Sequence, residues 1–530
     1  ICSPCEHRSF KTGLVCVCNE TNCDTLEFNL PETDGEVLIL STSKSGLRFE
    51  QSTSNFNDKV FTIANGPYHY GSTRMAQIEN AIKVLKLPPR FEEPLDYVVN
   101  ISINQTATYQ KIIGFGGAFT GAVSYNLDEL ESPELRRHVY RSYYSKEVGI
   151  GFNMMRMSIG GSDFDIEPWA YNEYPEHDPL LSTMKALDKR DLAKLEQIKE
   201  LKKVTNNHDI KVFGAAWSPP TWMKTNGDWT GFSALRDEYY QTWADYHVRY
   251  LELMNAQNFS FWAISTGNEP LNGIVMQQFV RFMSLGWIPT EQGKWLSENL
   301  GPSMKKSPEL SKVKILAGDD QRYTFPWWFE QMYEGSPDVT RYIDGLAVHW
   351  YADLYRSPEV FNEAIIKFPG KFIISTEACY GDKPWQQHKP VPGSWARAEE
   401  YIIDIIEDLN HFVSAWVDWN LILDTKGGPN YARNFVDAAI IANGTEILKQ
   451  PIFYALGHFS RFIIPDSVKI RAKSSHKFVK TTAFLRPDGY VAVVIYNLAN
   501  HNLDVNVFDK TYGALKLVAP GKSIHTLLYK

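Results

Sequence analysis

At 530 residues the chain exceeds what one hydrophobic core usually supports, so one large domain with smaller companions is expected. The hydrophobic share of 44% is ordinary and the aromatic share of 13% is generous, and no apolar run approaches the ~20 residues that span a bilayer. The formal charge of −8 counts 13 His as neutral; protonating them all would carry it to about +5, which favours anionic membrane surfaces only in acid.

The chain opens on Cys2, Cys5, Cys16, Cys18 and Cys23, a crowding that means disulfides or a metal site. Five glycosylation sequons, at Asn19, Asn100, Asn104, Asn258 and Asn443, favour an oxidising secretory context over a cytosolic zinc knot. With no charged and apolar leader at its start, the chain reads as a mature, soluble form whose signal peptide has been removed. Residues 29–107 show short alternating runs such as Gly35–Leu40 and Tyr97–Ile101 between polar turns, the pattern of antiparallel strands.

Eight apolar runs follow, each ending in Gly, polar or charged residues: Gln110–Phe119, Phe152–Asp163, Lys211–Trp217, Phe261–Glu269, Lys314–Asp320, Leu346–Tyr351, Phe372–Glu377 and Val413–Asn420. Helices lie between them. Leu192, Leu195, Ile198 and Leu201 form an apolar stripe within Asp188–Leu201; Ser132-Pro133-Glu134 is an N-cap with Pro at the first helical position; Leu235–Met254 and Ser394–Leu409 are further long helices. The alternation predicts a (β/α)8 barrel over 108–420, completed by about 451–464, rather than an open doubly wound sheet. From about 465 to 530 the alternating β-pattern returns, and we expect this segment to pair with 29–107 in one β-sandwich.

Barrel active sites sit at the C-terminal ends of the strands, where these runs place Asp163, Trp217, Glu269, Asp320, His349, Tyr351, Glu377 and Trp419. Glu269 closes the fourth run and Glu377 the seventh. Two strand-end glutamates are the minimum equipment for cleaving a glycosidic bond with retention, one protonated as acid and the other attacking as carboxylate. Asn268, beside Glu269, suits a sugar 2-hydroxyl. Position alone does not say which Glu does which job. No metal cluster or phosphate loop stands out, because the His are scattered and Gly114-Phe115-Gly116-Gly117 lacks dinucleotide-loop spacing.

The motifs Ser265-Thr266-Gly267-Asn268-Glu269-Pro270, Ser375-Thr376-Glu377-Ala378-Cys379, Ala347-Val348-His349-Trp350-Tyr351, Asp418-Trp419-Asn420, Trp217-Ser218-Pro219-Pro220-Thr221-Trp222 and Gly427-Gly428-Pro429-Asn430 occur in this order along nearly the whole chain. With them the chain resembles the glucosylceramidases of glycoside hydrolase family 30. The resemblance implies a small disulfide-bearing β-domain from 1–28 and about 421–450, with Cys5–Cys16 and Cys18–Cys23 bridges. It makes Glu269 the acid/base and Glu377 the nucleophile, matches Asp163, Trp217, Asn268, Trp419 and Asn430 to glucosyl-ring contacts, and has Arg156, His349 and Tyr351 support the nucleophile. It also implies glucosylceramide as substrate at a membrane surface, a saposin-type activator, anionic phospholipid, a lysosomal location with a transport receptor, and neither cofactor nor metal.

Departures from the family pattern carry expectations of their own. Thr120-Gly121 stands where the family usually has Thr followed by Asp, so a contact near the site is expected to be missing. Cys2 is extra and is either unpaired or in competition with Cys5, whereas Cys379 reads as a free, buried thiol on the same strand face as Glu377. The loop Leu271–Ile288, expected on the aglycone side, differs in length from the familiar form. Two rival readings are the same retaining chemistry on another glycoside or a polysaccharide, and a catalytically silent glycan-binding protein, against which both intact glutamates argue.

Overall fold

The computed structural model describes residues 4–67, 98–383 and 389–530; Cys2, and Tyr97 at the head of the Tyr97–Ile101 run, lie outside the described residues. Eight parallel strands close into a barrel: β1 (Gly114–Ala118), β2 (Met154–Ser158), β3 (Lys211–Ala215), β4 (Ala263–Ser265), β5 (Lys314–Gln321), β6 (Gly345–His349), β7 (Phe372–Glu377) and β8 (Val413–Asn420), with β8 paired to β1. Each coincides with one of the eight apolar runs, β5 and β6 overrunning theirs by one residue. Met154, Phe213, Ala263, Leu316, Ala347, Ile374, Ala415 and Val417, drawn from β2 through β8, form one buried cluster, the dry filling of the barrel. β1 contributes glycine instead, because a Cβ on Gly116 would lie 2.1 Å from the Met154 carbonyl of β2.

The helix Pro133–Tyr144 begins where Ser132 Oγ accepts from the Glu134 N–H at 3.2 Å. In Lys189–Thr205, Leu195, Ile198 and Leu201 are buried, but Leu192 is 41% exposed. Three-residue steps lag a helical turn by ~60° each, so the stripe drifts off the buried face. That face takes Asp191 and Lys194 instead, a buried ion pair at 2.7 Å.

A second sheet has ten strands, drawn from residues 36–62, 99–111 and 468–529. Val37 and Ile39 near one end share a core with Leu515 and Leu517 near the other, so the sheet folds over on itself. A third sheet pairs Glu6–Phe10 and Gly13–Cys18 with Ile447–Lys449, Ile440–Ala442 and Ile422–Asp424, and the last strand continues directly from β8. Disulfides join Cys5 to Cys16 and Cys18 to Cys23, and Cys379 is a buried free thiol. Asn100, Asn104, Asn258 and Asn443 are exposed and Asn19 is half-buried. Among the described residues no helix is long and apolar enough to cross a membrane.

Candidate active site

β4 is only three residues long, and the chain turns sharply beyond it: Gly267 has φ 134° and Glu269 φ 44°. A left-handed backbone is uncommon for a glutamate and persists where neighbours impose it. Here the Asn268 N–H donates to Ala216 O and the Glu269 N–H to Asp319 O, both at 2.9 Å, so this tip is clamped between the ends of β3 and β5. Glu377 is the last residue of β7. An oxygen of Glu269, one of Glu377 and a ring nitrogen of His349 all lie within 4.8 Å of one another, close to the ~5 Å carboxyl separation of retaining glycosidases.

A fully buried guanidinium organises the floor beneath. Arg156, on β2, donates through Nη1 to Glu377 Oε2, and through Nη2 to Asn268 Oδ1 and Asp319 Oδ2, each at 2.9 Å. Asp319 also receives His349 Nε2 at 3.0 Å, Thr376 Oγ1 at 2.6 Å and Ser265 Oγ at 2.7 Å. Glu269 receives Gln321 Nε2 at 2.7 Å on Oε1 and the Asn272 amide on Oε2. Tyr351 donates its hydroxyl to Glu377 Oε1 at 2.7 Å.

This wiring revises two expectations and extends a third. His349, matched to the support of Glu377, gives that support through its charge, with Nδ1 4.0 Å from Glu377 Oε2, while its direct hydrogen bond, at 2.9 Å, is with Glu269 Oε1. The acid of β5 that enters the cluster is Asp319 rather than Asp320, because the register shifts between Gly318 and Asp320 and Asp319 adopts φ 59°. Such a bulge re-aims a side chain against the strand's alternation. Asn430 is buried but spends its amide on residue 434, donating from Nδ2 to Asn434 O at 3.1 Å, and the cavity wall takes Ala432, Arg433 and Asn434 from this turn instead.

Electrostatics follow from burial and wiring. Burial alone would raise Asp319, but the Arg156 charge and the His349 and Thr376 hydrogen bonds hold it well below the ordinary carboxylate range. Burial would lower His349, yet Glu377, Asp319 and Glu269 push it up to about 10, so it is imidazolium in acid and at neutrality. Burial raises Glu377, opposed by His349 and Arg156 and reinforced by Glu269. Asp163 is raised by burial and by both glutamates, and Asp320 is pushed up to about 7 by burial and Glu269.

The cluster floors a cavity of roughly 800 Å³ whose walls include Asp163, Trp217, Asn268, Glu269, Tyr351, Glu377, Cys379 and Trp419. Trp217 and Trp419 stack with centroids 5.5 Å apart, and the Arg156 guanidinium lies 5.0 and 5.3 Å from the two rings. Glu269, His349 and Glu377 also have the donor set of a metal site, but Arg156 already neutralises Glu377 and His349 is protonated, which disfavours a second cation there. Gly121 does not leave a gap: a Cβ there would lie 1.9 Å from Asp165 Oδ1, so the Asp165 carboxylate fills the space. Met276, Gln278 and Phe279–Phe282 of the 271–288 loop and Tyr355 border the mouth, where Phe279 is 76% exposed and Tyr355 is exposed; Val275 and Leu354, each adjacent in sequence to a bordering residue, are exposed too. Arg281, Lys383, Lys389 and Arg433 line the same mouth.

Sequence reasoning missed Asp319, Ser265, Thr376, Asn272 and Gln321. Asn272 had a signal in its spacing, one turn beyond Glu269 after Pro270. Gly318 followed by Asp319-Asp320 was a bulge signal at a strand end.

Residues 112–463 match the glycosyl hydrolase family 30 TIM-barrel domain and residues 466–527 the glycosyl hydrolase family 30 beta sandwich domain. The chain is 34% identical to the lysosomal acid glucosylceramidase of Mus musculus over 99% of this chain and 96% of the relative. It is 33% identical to putative glucosylceramidase 3 of Caenorhabditis elegans over 100% and 95%. The crystal structure of SrfJ from Salmonella typhimurium shares the fold, with a TM-score of 0.77, 22% identity, and coverage of 93% of this chain and 99% of that one.

Proposed function

This chain belongs to glycosyl hydrolase family 30, and on that premise we propose that it cleaves the β-glucosidic bond of glucosylceramide with retention, through a covalent glucosyl-enzyme intermediate. The observation that carries this reading is the Glu269–Glu377 pair, with oxygens within 4.8 Å, on the floor of a cavity walled by Trp217 and Trp419. Burial and the nearby Glu269 raise Glu377, against the opposing charges of His349 and Arg156. Glu269 as acid/base and Glu377 as nucleophile are the roles the family resemblance implies, and Arg156 and the Tyr351 hydroxyl, both donating to Glu377, favour its carboxylate.

In the first step Glu377 attacks the anomeric carbon while Glu269 gives its proton to the departing glycosidic oxygen, releasing ceramide and leaving a glucosyl ester on Glu377. In the second, Glu269, now carboxylate, takes a proton from water as its oxygen attacks the same carbon, freeing β-glucose and restoring both groups. Arg156 fixes Asn268 by its carbonyl, which leaves the amide's donor end for the 2-hydroxyl. Asp163 and the two tryptophans hold the rest of the ring.

The apolar and basic mouth supports a lipid aglycone: Phe279 and Tyr355, with the exposed Leu354 next to Tyr355 in the chain, can enter the outer layer of a membrane while Arg281 and Arg433 meet anionic headgroups. A lysosomal location, a saposin-type activator and a transport receptor belong to the same reading. The test is glucose release from glucosylceramide in anionic vesicles at about pH 5, with Glu377→Gln as blank. Release by the wild type alone supports it; silence there, with hydrolysis of a soluble β-glycoside, would move the substrate elsewhere in the family.

A further inference from the structure

Cys379 is 2% exposed, lies two residues beyond Glu377, and shares the cavity wall with it. Its Sγ is 3.3 Å from Tyr351 Oη, and that same hydroxyl is 2.7 Å from Glu377 Oε1. A tyrosine has one hydroxyl proton to give. Beside an ionised carboxylate it gives it there, so the contact with sulfur is made with Cys379 as donor.

We propose that Cys379 is a positioning residue of the glycosidase reaction, its S–H donating to Tyr351 Oη and thereby fixing the direction in which Tyr351 donates to Glu377. Burial keeps the thiol protonated, pushing it well above its ordinary value. The frame around the pair is rigid. Trp350 donates its indole N–H to the Cys379 carbonyl at 2.9 Å, and Lys383 donates to the Tyr351 carbonyl at 2.7 Å. The hydroxyl's direction is thus left to its two side-chain partners.

The consequence differs between the two chemical steps. While Glu377 is a carboxylate, its charge holds the tyrosine hydroxyl. Once it is a glucosyl ester the charge is gone and that bond weakens. The thiol then keeps Oη in place until water has attacked. The other charged groups around this chain are Arg156 and His349 below, Glu269 opposite, and Asp382, Lys383 and Asp418 behind. The Tyr351 hydroxyl itself meets Glu377 and Cys379.

The inference rests on Glu377 as nucleophile, so Glu377→Gln is assayed alongside: activity in that variant fails the nucleophile reading and leaves the Cys379–Tyr351 coupling separately measurable. The experiment is a double-mutant cycle of Cys379→Ala and Tyr351→Phe, measuring kcat, KM and the acidic limb of kcat/KM on a soluble β-glucoside. We expect Cys379→Ala to lower kcat about 3- to 10-fold, the worth of one hydrogen bond, with KM nearly unchanged. The acidic limb should move to higher pH, Cys379→Ser should restore both, and Cys379→Ala should change nothing further in the Tyr351→Phe background. Wild-type kcat and limb in Cys379→Ala, or an equal loss with and without the tyrosine hydroxyl, would overturn the proposal. Should the alanine variant fail to fold, Cys379→Val, which also lacks the donor, takes its place: a shift of the limb with Tyr351 present and none with Phe supports the chain, and no difference between backgrounds overturns it.

Discussion

The imidazole Nε2 of His349 lies 3.0 Å from Asp319 Oδ1, a carboxylate that belongs to neither catalytic position. Through this contact a buried acid organises the site without facing the sugar. The charge of Asp319 serves Arg156 and His349 together, and those two cations in turn touch Glu377 and Glu269 respectively.

Asp319→Asn should therefore damage both stability and rate. Removing one partner of a buried charge pair costs about 3–5 kcal/mol, and losing the alignment of Arg156 should lower kcat on the order of 10²-fold. Thermal unfolding and kcat on a soluble substrate check it. Ser265→Ala, which removes one neutral donor to the same carboxylate, should cost only about 1 kcal/mol.

Glu269→Ala should slow substrates with poor leaving groups far more than activated aryl glucosides, because the latter need no proton on departure. Added azide, which needs no general base, should restore part of the activity on the activated substrates. Equal loss on both substrate classes would remove Glu269 from the acid role.

Stability should fall as pH rises from about 4 towards 8. Asp165 is raised to about 6 and Asp320 and Asp418 to about 7, each by burial first, so these groups hold protons in the folded state that the unfolded chain has already released. Their contribution is fully present below the unfolded value of 3.8 and is lost through 6 to 7. His349, raised to about 10, acts with the same sign: its contribution is complete below 6.5 and is lost on the way to 10. Melting temperatures should be higher at pH 5 than at pH 8, and Asp418→Asn should flatten the difference.

Leu354→Glu with Tyr355→Glu should lower turnover of glucosylceramide in anionic vesicles several-fold while leaving a soluble glucoside unchanged. Tyr355 lines the cavity mouth, Leu354 is its neighbour along the chain, and both are largely exposed, so little packing is lost on substitution. Vesicle co-sedimentation of the variant gives the binding arm directly.

Much of this was legible in the sequence because strand ends announce themselves: each apolar run stops where the barrel's C-terminal rim begins, which places Glu269, Glu377, Trp217 and Trp419 at one end. What the sequence hid depends on departures from regular geometry. Asp319 enters the cluster through a bulge, and a strand read by alternation alone favours its neighbour. Glu269 adopts a left-handed backbone that no propensity for glutamate foretells. The role of His349 needed distances, since either carboxylate was within reach of a residue on β6. Asp165, filling the space beside Gly121, joins residues 44 apart and leaves no local pattern to read.

The most direct test of the central claim is to trap the intermediate. A β-glucoside with fluorine at C2 and a good leaving group slows both steps, the second more, so the glucosyl ester accumulates. Digestion and mass spectrometry should find the fluoroglucosyl label on the peptide carrying Glu377, with activity lost in proportion and no label in Glu377→Gln. Label on Glu269, or inactivation that leaves Glu377 unmodified, would contradict the assignment of nucleophile and acid.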